Sequence, residues 1–176
     1  MTFDLSLRRR LVAAGIGAAL ALSAATAAFA HEVKVGDLVL HHPWTRATPN
    51  AAKVGGAYME IENTGAEPDR LLGGSVPFAE RVEVHEMAVV DGVMTMRQLP
   101  DGIEIPAGGT LVLKPGSFHL MFMGMEQPLM VDTVVEGKLV FEKAGEVTVE
   151  FAVQDMGAKA PEGAGHESMD HSDHAN

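Results

Sequence analysis

Beyond its first thirty residues this chain predicts an all-β fold, a sandwich or barrel, on three observations. Nine short runs of strand character are separated by clusters of Gly, Pro, Asn and Asp. No stretch carries the 3.6-residue apolar period of an amphipathic helix. Near the end, Val147, Val149, Phe151 and Val153 alternate with Thr148, Glu150, Ala152 and Gln154, which is the period of a half-buried strand.

In order, the candidate strands are 35–41, 57–62, 69–72, 81–90, 93–98, 110–114, 118–123, 138–142 and 146–154. The breaks between them are Pro43, Asn63-Thr64-Gly65, Gly73-Gly74, Asp91-Gly92, Pro100-Asp101-Gly102, Pro106 with Gly108-Gly109, Pro115-Gly116, Gly124 and Ala144-Gly145. The last two strands are expected to form a hairpin through Lys143-Ala144-Gly145-Glu146.

The ends have other compositions. Residues 1–30 read as a signal peptide: a basic start at Arg8, Arg9 and Arg10, an apolar run over 11–22, and the cleavage signal Ala28-Phe29-Ala30. The paired arginines also admit twin-arginine export. The apolar run is short for a membrane span, and no later stretch could cross one. Residues 31–156 are expected to be the folded domain. Residues 157–176 hold almost no large apolar side chain and are expected to be a disordered tail. This tail carries His166, Met169, His171 and His174, a composition suited to capturing Cu(II) or Zn(II) rather than Cu(I).

The whole chain has net charge −11, and loss of a leader carrying three arginines and Asp4 takes it to −13. Such a protein does not bind nucleic acid through phosphates; it attracts cations and basic partners. It contains no cysteine. That excludes disulfides, a lipid-bearing cysteine, thiol redox chemistry and a thiolate-bound blue-copper centre. No nucleophile–base constellation or phosphate loop is present, so no enzyme is expected.

The chemistry concentrates in residues 85–130. Seven of the eleven methionines fall between Met87 and Met130, with His85 and His119 among them. Thioether sulfur and imidazole nitrogen without cysteine suit Cu(I) better than other biological metals. Asp91-Gly92 is a two-residue hairpin signal. It pairs Val90 with Val93, Val89 with Met94 and Met87 with Met96, and so places His85, Met87, Met94 and Met96 on one face. His119 and Met121 share one face of a later strand. Two His and two Met from these strands would make a soft four-coordinate site of neutral ligands.

Methionine is also a common core filler. Met59, Met123, Met125, Met130 and Met156 are read as core or surface packing, and Met87 and Met94 as packing or shielding. Trp44 and Arg46 read as fold determinants, His42 as structural and His41 as an exposed strand end. His31, at the mature N-terminus, offers an amine and an imidazole that could chelate Cu(II).

The set His85, Met96, His119-Leu120-Met121 resembles the motif of the PCuAC family of periplasmic copper chaperones. Ten residues separate His85 from Met96, and twenty-two separate Met96 from His119. The second spacing is one residue longer than the family's usual form, an excess that a loop around residues 98–102 would absorb. Met94 is the alternative to Met96. His42-Pro43-Trp44-Thr45-Arg46 and the segment 102–109 also resemble the family.

The resemblance implies a cupredoxin-like Greek-key β-barrel and a Cu(I) site of His85, Met96, His119 and Met121. It implies delivery of copper to the dinuclear centre in the copper-bearing subunit of cytochrome c oxidase, or exchange with another copper chaperone. It further implies a periplasmic location and a tail that handles Cu(II). A monomer is expected. The rival readings are a periplasmic copper storage or resistance protein without a dedicated acceptor, and a redox protein on the same barrel, which the lack of cysteine disfavours.

Overall fold

The computed structural model describes residues 32–160, and within them all regular structure is strand. Eleven strands run in chain order: β1 (Glu32–Val35), β2 (Leu38–Arg46), β3 (Val54–Asn63), β4 (Asp69–Ser75), β5 (Arg81–Val90), β6 (Val93–Gln98), β7 (Ile103–Ile105), β8 (Thr110–Leu113), β9 (Phe118–Met123), β10 (Val134–Phe141) and β11 (Gly145–Gln154). Seven of them close on themselves in the order β2-β11-β10-β4-β5-β9-β3, with β3 returning to β2. The β11–β2 contact is parallel and the rest are antiparallel, so the sheet is mixed. Strands β1, β6, β7 and β8 extend β2, β5, β4 and β3 beyond the ring. The connections from β3 to β4 and from β9 to β10 join strands that are not neighbours, as in Greek-key folds.

The barrel interior takes alternate residues from each strand. Leu38 and Leu40 of β2, Met59 and Ile61 of β3, Val82 and Val84 of β5, Leu120 and Phe122 of β9, and Val149, Phe151 and Val153 of β11 form one core. Phe122 sits edge-on to Phe78 and Phe151, with ring centroids 5.3 and 5.7 Å apart, a favoured aromatic geometry. Of the methionines read as core or surface packing, Met59 and Met125 fill the core, and Met130 and Met156 lie at the surface.

Three expectations need correction. Pro43 does not end a strand. His42, at φ 48°, and Pro43 form a bulge inside β2, and there the strand exchanges β1 for β11 along one edge. His41 is accordingly half-buried in mid-strand, not a strand end. Gly73-Gly74 is likewise no break: β4 runs through it to Ser75, because a Cβ on Gly74 would lie 2.1 Å from the Lys138 carbonyl oxygen. The close approach of β10 requires glycine. Finally, β1 and β7 escape pattern reading. They are four and three residues long and pair at the barrel's margins, where little alternation is needed. The predicted signal peptide, His31 and the tail residues 161–176 lie outside the described residues.

Candidate metal centre

The Asp91-Gly92 turn has φ of 53° and 79°, the left-handed pair that a two-residue hairpin demands. It fixes the β5–β6 register: Val90 opposes Val93, Val89 opposes Met94, Met87 opposes Met96 and His85 opposes Gln98. Val82 and Val84 enter the core, so Glu83, His85 and Met87 lie on the outer face of β5.

On its other edge β5 pairs with β9, and this register sets His85 directly opposite His119 and Glu83 opposite Met121. Leu120 and Phe122 take the core face of β9, which leaves His119 and Met121 outside with His85. The imidazole centroids are 6.0 Å apart. One strand further, Gly56 of β3 opposes Met121. Tyr58 folds back over Gly56, where a Cβ would stand 2.5 Å from the phenol oxygen. Its ring lies 6.4 Å from that of His119 and 4.6 Å from Trp44. Trp44, Tyr58 and Met121 are buried yet are not part of the barrel core. They form a second small layer outside the sheet that shields the two histidines.

The result is an outer-face site that is nearly dry. His85, His119 and Met121 are 8%, 5% and 9% exposed. Met96, one strand out and diagonal to His85, is 50% exposed at the rim. Met94 is one pair further from His85 and 66% exposed. The structure therefore gathers His85, His119 and Met121 and leaves Met96 at their edge.

Hydrogen bonds assign the imidazole hydrogens. His85 Nε2 lies 2.9 Å from Glu83 Oε2. The carboxylate only accepts, so Nε2 carries the hydrogen and Nδ1 of the neutral ring is a bare lone pair. His119 Nδ1 lies 2.8 Å from the Ser117 carbonyl oxygen, so Nδ1 donates there and Nε2 is the free lone pair. Among the described residues, His85 Nδ1 is the one buried side-chain nitrogen or oxygen without a hydrogen-bond partner. Leaving such an atom unpaired costs about 1–3 kcal/mol, which a bound metal would recover.

Charge is balanced around these rings. Glu83 also accepts from Arg81 Nε at 2.9 Å. The hydrogen bonds from His85 and then Arg81 hold its carboxyl below its ordinary value. Burial pushes the His119 imidazole below its ordinary value, the Ser117 carbonyl opposes this and the neighbouring His85 adds to it. Its ring is neutral at neutral pH, the form that ligates metals. A surface pocket of about 390 Å³ beside His41, His42 and Trp44 touches neither His85 nor His119.

Sequence reasoning missed Glu83, Ser117 and Tyr58. Glu83 was within reach of it: two residues before His85 in a strand, it must share that face. His166, Met169, His171 and His174 lie outside the described residues.

The comparisons with known proteins bear on the family and the fold. Residues 38–153 match the family model described as "Putative lipoprotein LpqE-like". A curated relative from Leifsonia xyli subsp. xyli (strain CTCB07), "Putative lipoprotein Lxx21020", is 30% identical over 113 residues, 64% of this chain and 67% of that one. This chain has no cysteine that could carry a lipid. Among solved structures, the copper-bound PCuAC domain from PmoF2 is 31% identical and superposes with a TM-score of 0.62 over 71% of this chain and 98% of that one. The apo PCuAC domain from PmoF1 is 30% identical, with a TM-score of 0.61 over 71% and 99%. The solution structure of CuI-DR1885 from Deinococcus radiodurans is 28% identical, with a TM-score of 0.54 over 73% and 83%. The chain belongs to the LpqE-like family and is a PCuAC-type protein with the cupredoxin-like fold.

Proposed function

We propose that this chain is a periplasmic copper chaperone that carries Cu(I) on His85 Nδ1, His119 Nε2, Met121 and Met96. The observation that carries this reading is the orphaned, buried Nδ1 of His85, on a ring whose centroid is 6.0 Å from that of His119. Two neutral imidazoles and two thioethers suit a soft monovalent ion. Structures of PmoF2 and DR1885 domains containing copper support it. Copper is cargo in this reading, so the protein is a binding and transfer protein, not an enzyme.

The arrangement favours holding followed by release. Glu83 and Ser117 fix both rings with their lone pairs available, so the ion binds without ring reorientation or proton release. The dry layer of Trp44, Tyr58 and Met121 keeps water from the ion. Met96 at the rim is the ligand an incoming thiolate can replace first. The acceptor would be the copper-bearing subunit of cytochrome c oxidase or another copper chaperone. In the same reading residues 1–30 direct export, and His166, Met169, His171 and His174 capture Cu(II).

A Cu(I) competition titration against a chromogenic chelator tests the site: the wild-type protein should hold one tight equivalent that His85→Ala and His119→Ala lose. Mixing the Cu(I)-loaded protein with an apo dinuclear copper domain, followed by mass spectrometry, tests delivery. No transfer under conditions where the titration succeeds would leave a storage protein and defeat the chaperone reading.

A further inference from the structure

Strand β6 is exposed along its whole length, and among the described residues it pairs with β5 alone. Near the hairpin tip, Val89, Val90, Val93 and Met94 are all well exposed. Thioethers occupy three of the six positions on the outer face of this ribbon. Met87 directly opposes Met96, and Met94 lies two residues from Met96 on the same side. Met87 is half-buried at the base, where its backbone N–H bonds the Ser117 carbonyl. That carbonyl also receives His119 Nδ1. The methionines therefore lead from solvent to the histidines.

We infer that Met87, Met94 and Met96 form a second Cu(I) site on the hairpin, one that receives the ion and passes it inward to His85 and His119. This rests on the copper reading above. Directly opposed strand residues are about 4.5–5.5 Å apart, and next-nearest residues along a strand about 6.5–7 Å. Long unbranched side chains at those spacings converge on one ion. Three neutral thioethers bind Cu(I) but offer little to Zn(II) or Mg(II), which take nitrogen, thiolate or oxygen ligands. Met96 is common to both sites: it stays on the ion while Met87 and Met94 are exchanged for His85 Nδ1, His119 Nε2 and Met121. The step is ligand exchange alone, with Cu–S bonds to Met87 and Met94 broken and two Cu–N bonds and one Cu–S bond formed. The ion remains Cu(I), and no proton moves because both receiving nitrogens are lone pairs. A bare packing role does not account for Met94, which is 66% exposed and has no core to fill.

The test is an NMR titration of the full mature chain labelled at the methionine methyl carbons, with Cu(I) added under anaerobic conditions. Met87→Leu, Met94→Leu and Met121→Leu assign the signals while keeping apolar bulk. The expected result is that the first equivalent shifts the Met121 and Met96 methyls, and that excess Cu(I) then shifts those of Met87 and Met94 as a second ion on the hairpin competes for Met96. The Met87→Leu/Met94→Leu variant should still show the Met121 shift but lose the second hairpin response. It should also load more slowly from a Cu(I)–glutathione donor. If the Met87 and Met94 methyls stay fixed at excess Cu(I) while Met121 responds, the hairpin site is wrong and the inner site stands. If Met121 is also silent, the failure belongs to the copper reading itself. Unchanged loading by the leucine variant, with slowing only when charges are placed at Val89 and Val93, would make the ribbon a docking surface and overturn the inference.

Discussion

His85 and His119 face one another across the β5–β9 ladder as a directly opposed pair, ring centroids 6.0 Å apart. One ring is held through Nε2 by Glu83 and the other through Nδ1 by the Ser117 carbonyl. The two available lone pairs are thus on different ring nitrogens. This follows from the partners: Glu83 projects from the same face of β5, whereas Ser117 precedes β9 in the chain.

The Glu83 contact can be tested without touching a ligand. In Glu83→Gln the amide can donate to His85 Nε2, which moves the hydrogen to Nδ1. Cu(I) affinity should fall about 10–100-fold, as for other ligand-orienting partners, while a Glu83→Asp variant keeps part of it. Competition titration reads this, and urea midpoints should show the fold intact.

Met121→Leu separates sulfur from volume. Volume-conserving swaps cost less than about 1.5 kcal/mol, so thermal unfolding should shift little. Cu(I) affinity should nevertheless drop clearly. Met96→Leu should weaken binding at the rim with no change in stability, since Met96 is half exposed. Equal affinities for wild type and both variants would remove thioethers from the ligand set.

Gly74→Ala should destabilise the barrel. The new Cβ would meet the Lys138 carbonyl oxygen at 2.1 Å, and that oxygen is backbone that cannot swing away. Forcing β4 and β10 apart should cost on the order of 1–3 kcal/mol or more, visible as a lower urea midpoint at unchanged slope.

Asp69 predicts an acid limb in the stability profile. Its buried carboxylate accepts from the backbone N–H groups of Arg70, Lys143 and Ala144 at 2.7–2.9 Å. Burial alone would raise its pKa, but the three hydrogen bonds together prevail and hold it below its ordinary 3.8. A carboxyl depressed in the folded state adds stability above its unfolded pKa and loses it as pH falls through the folded one. Stability should therefore decline as the pH drops below about 4. Asp69→Asn should be less stable at neutral pH and show a flatter acid limb. A parallel decline in both proteins would assign the acid limb to other groups.

Much of this was legible locally. Strands β5, β6 and β9 have the bounds that alternation and turn residues imply: β6 and β9 have a break at both ends, and Asp91-Gly92 ends β5. The Asp91-Gly92 turn fixed the hairpin register, and with it the shared face of His85, Met87, Met94 and Met96. Where a break residue lay inside a strand, local reading failed. Pro43 marks a bulge and Gly74 a close strand crossing, and neither meaning is visible until the neighbouring strand is in place.

By itself the sequence determined the all-β class, the β5–β6 register and the chemical type of the site, since these depend on turn geometry, side-chain period and ligand softness. The tertiary structure alone decided that β9 docks beside β5 in the register that opposes His85 to His119. That pairing joins segments separated by three intervening strands, β6, β7 and β8. Nothing local fixes such a register. It is set by Val84, Leu120 and Phe122 entering a common core, and burying those residues leaves the two histidines together on the outer face.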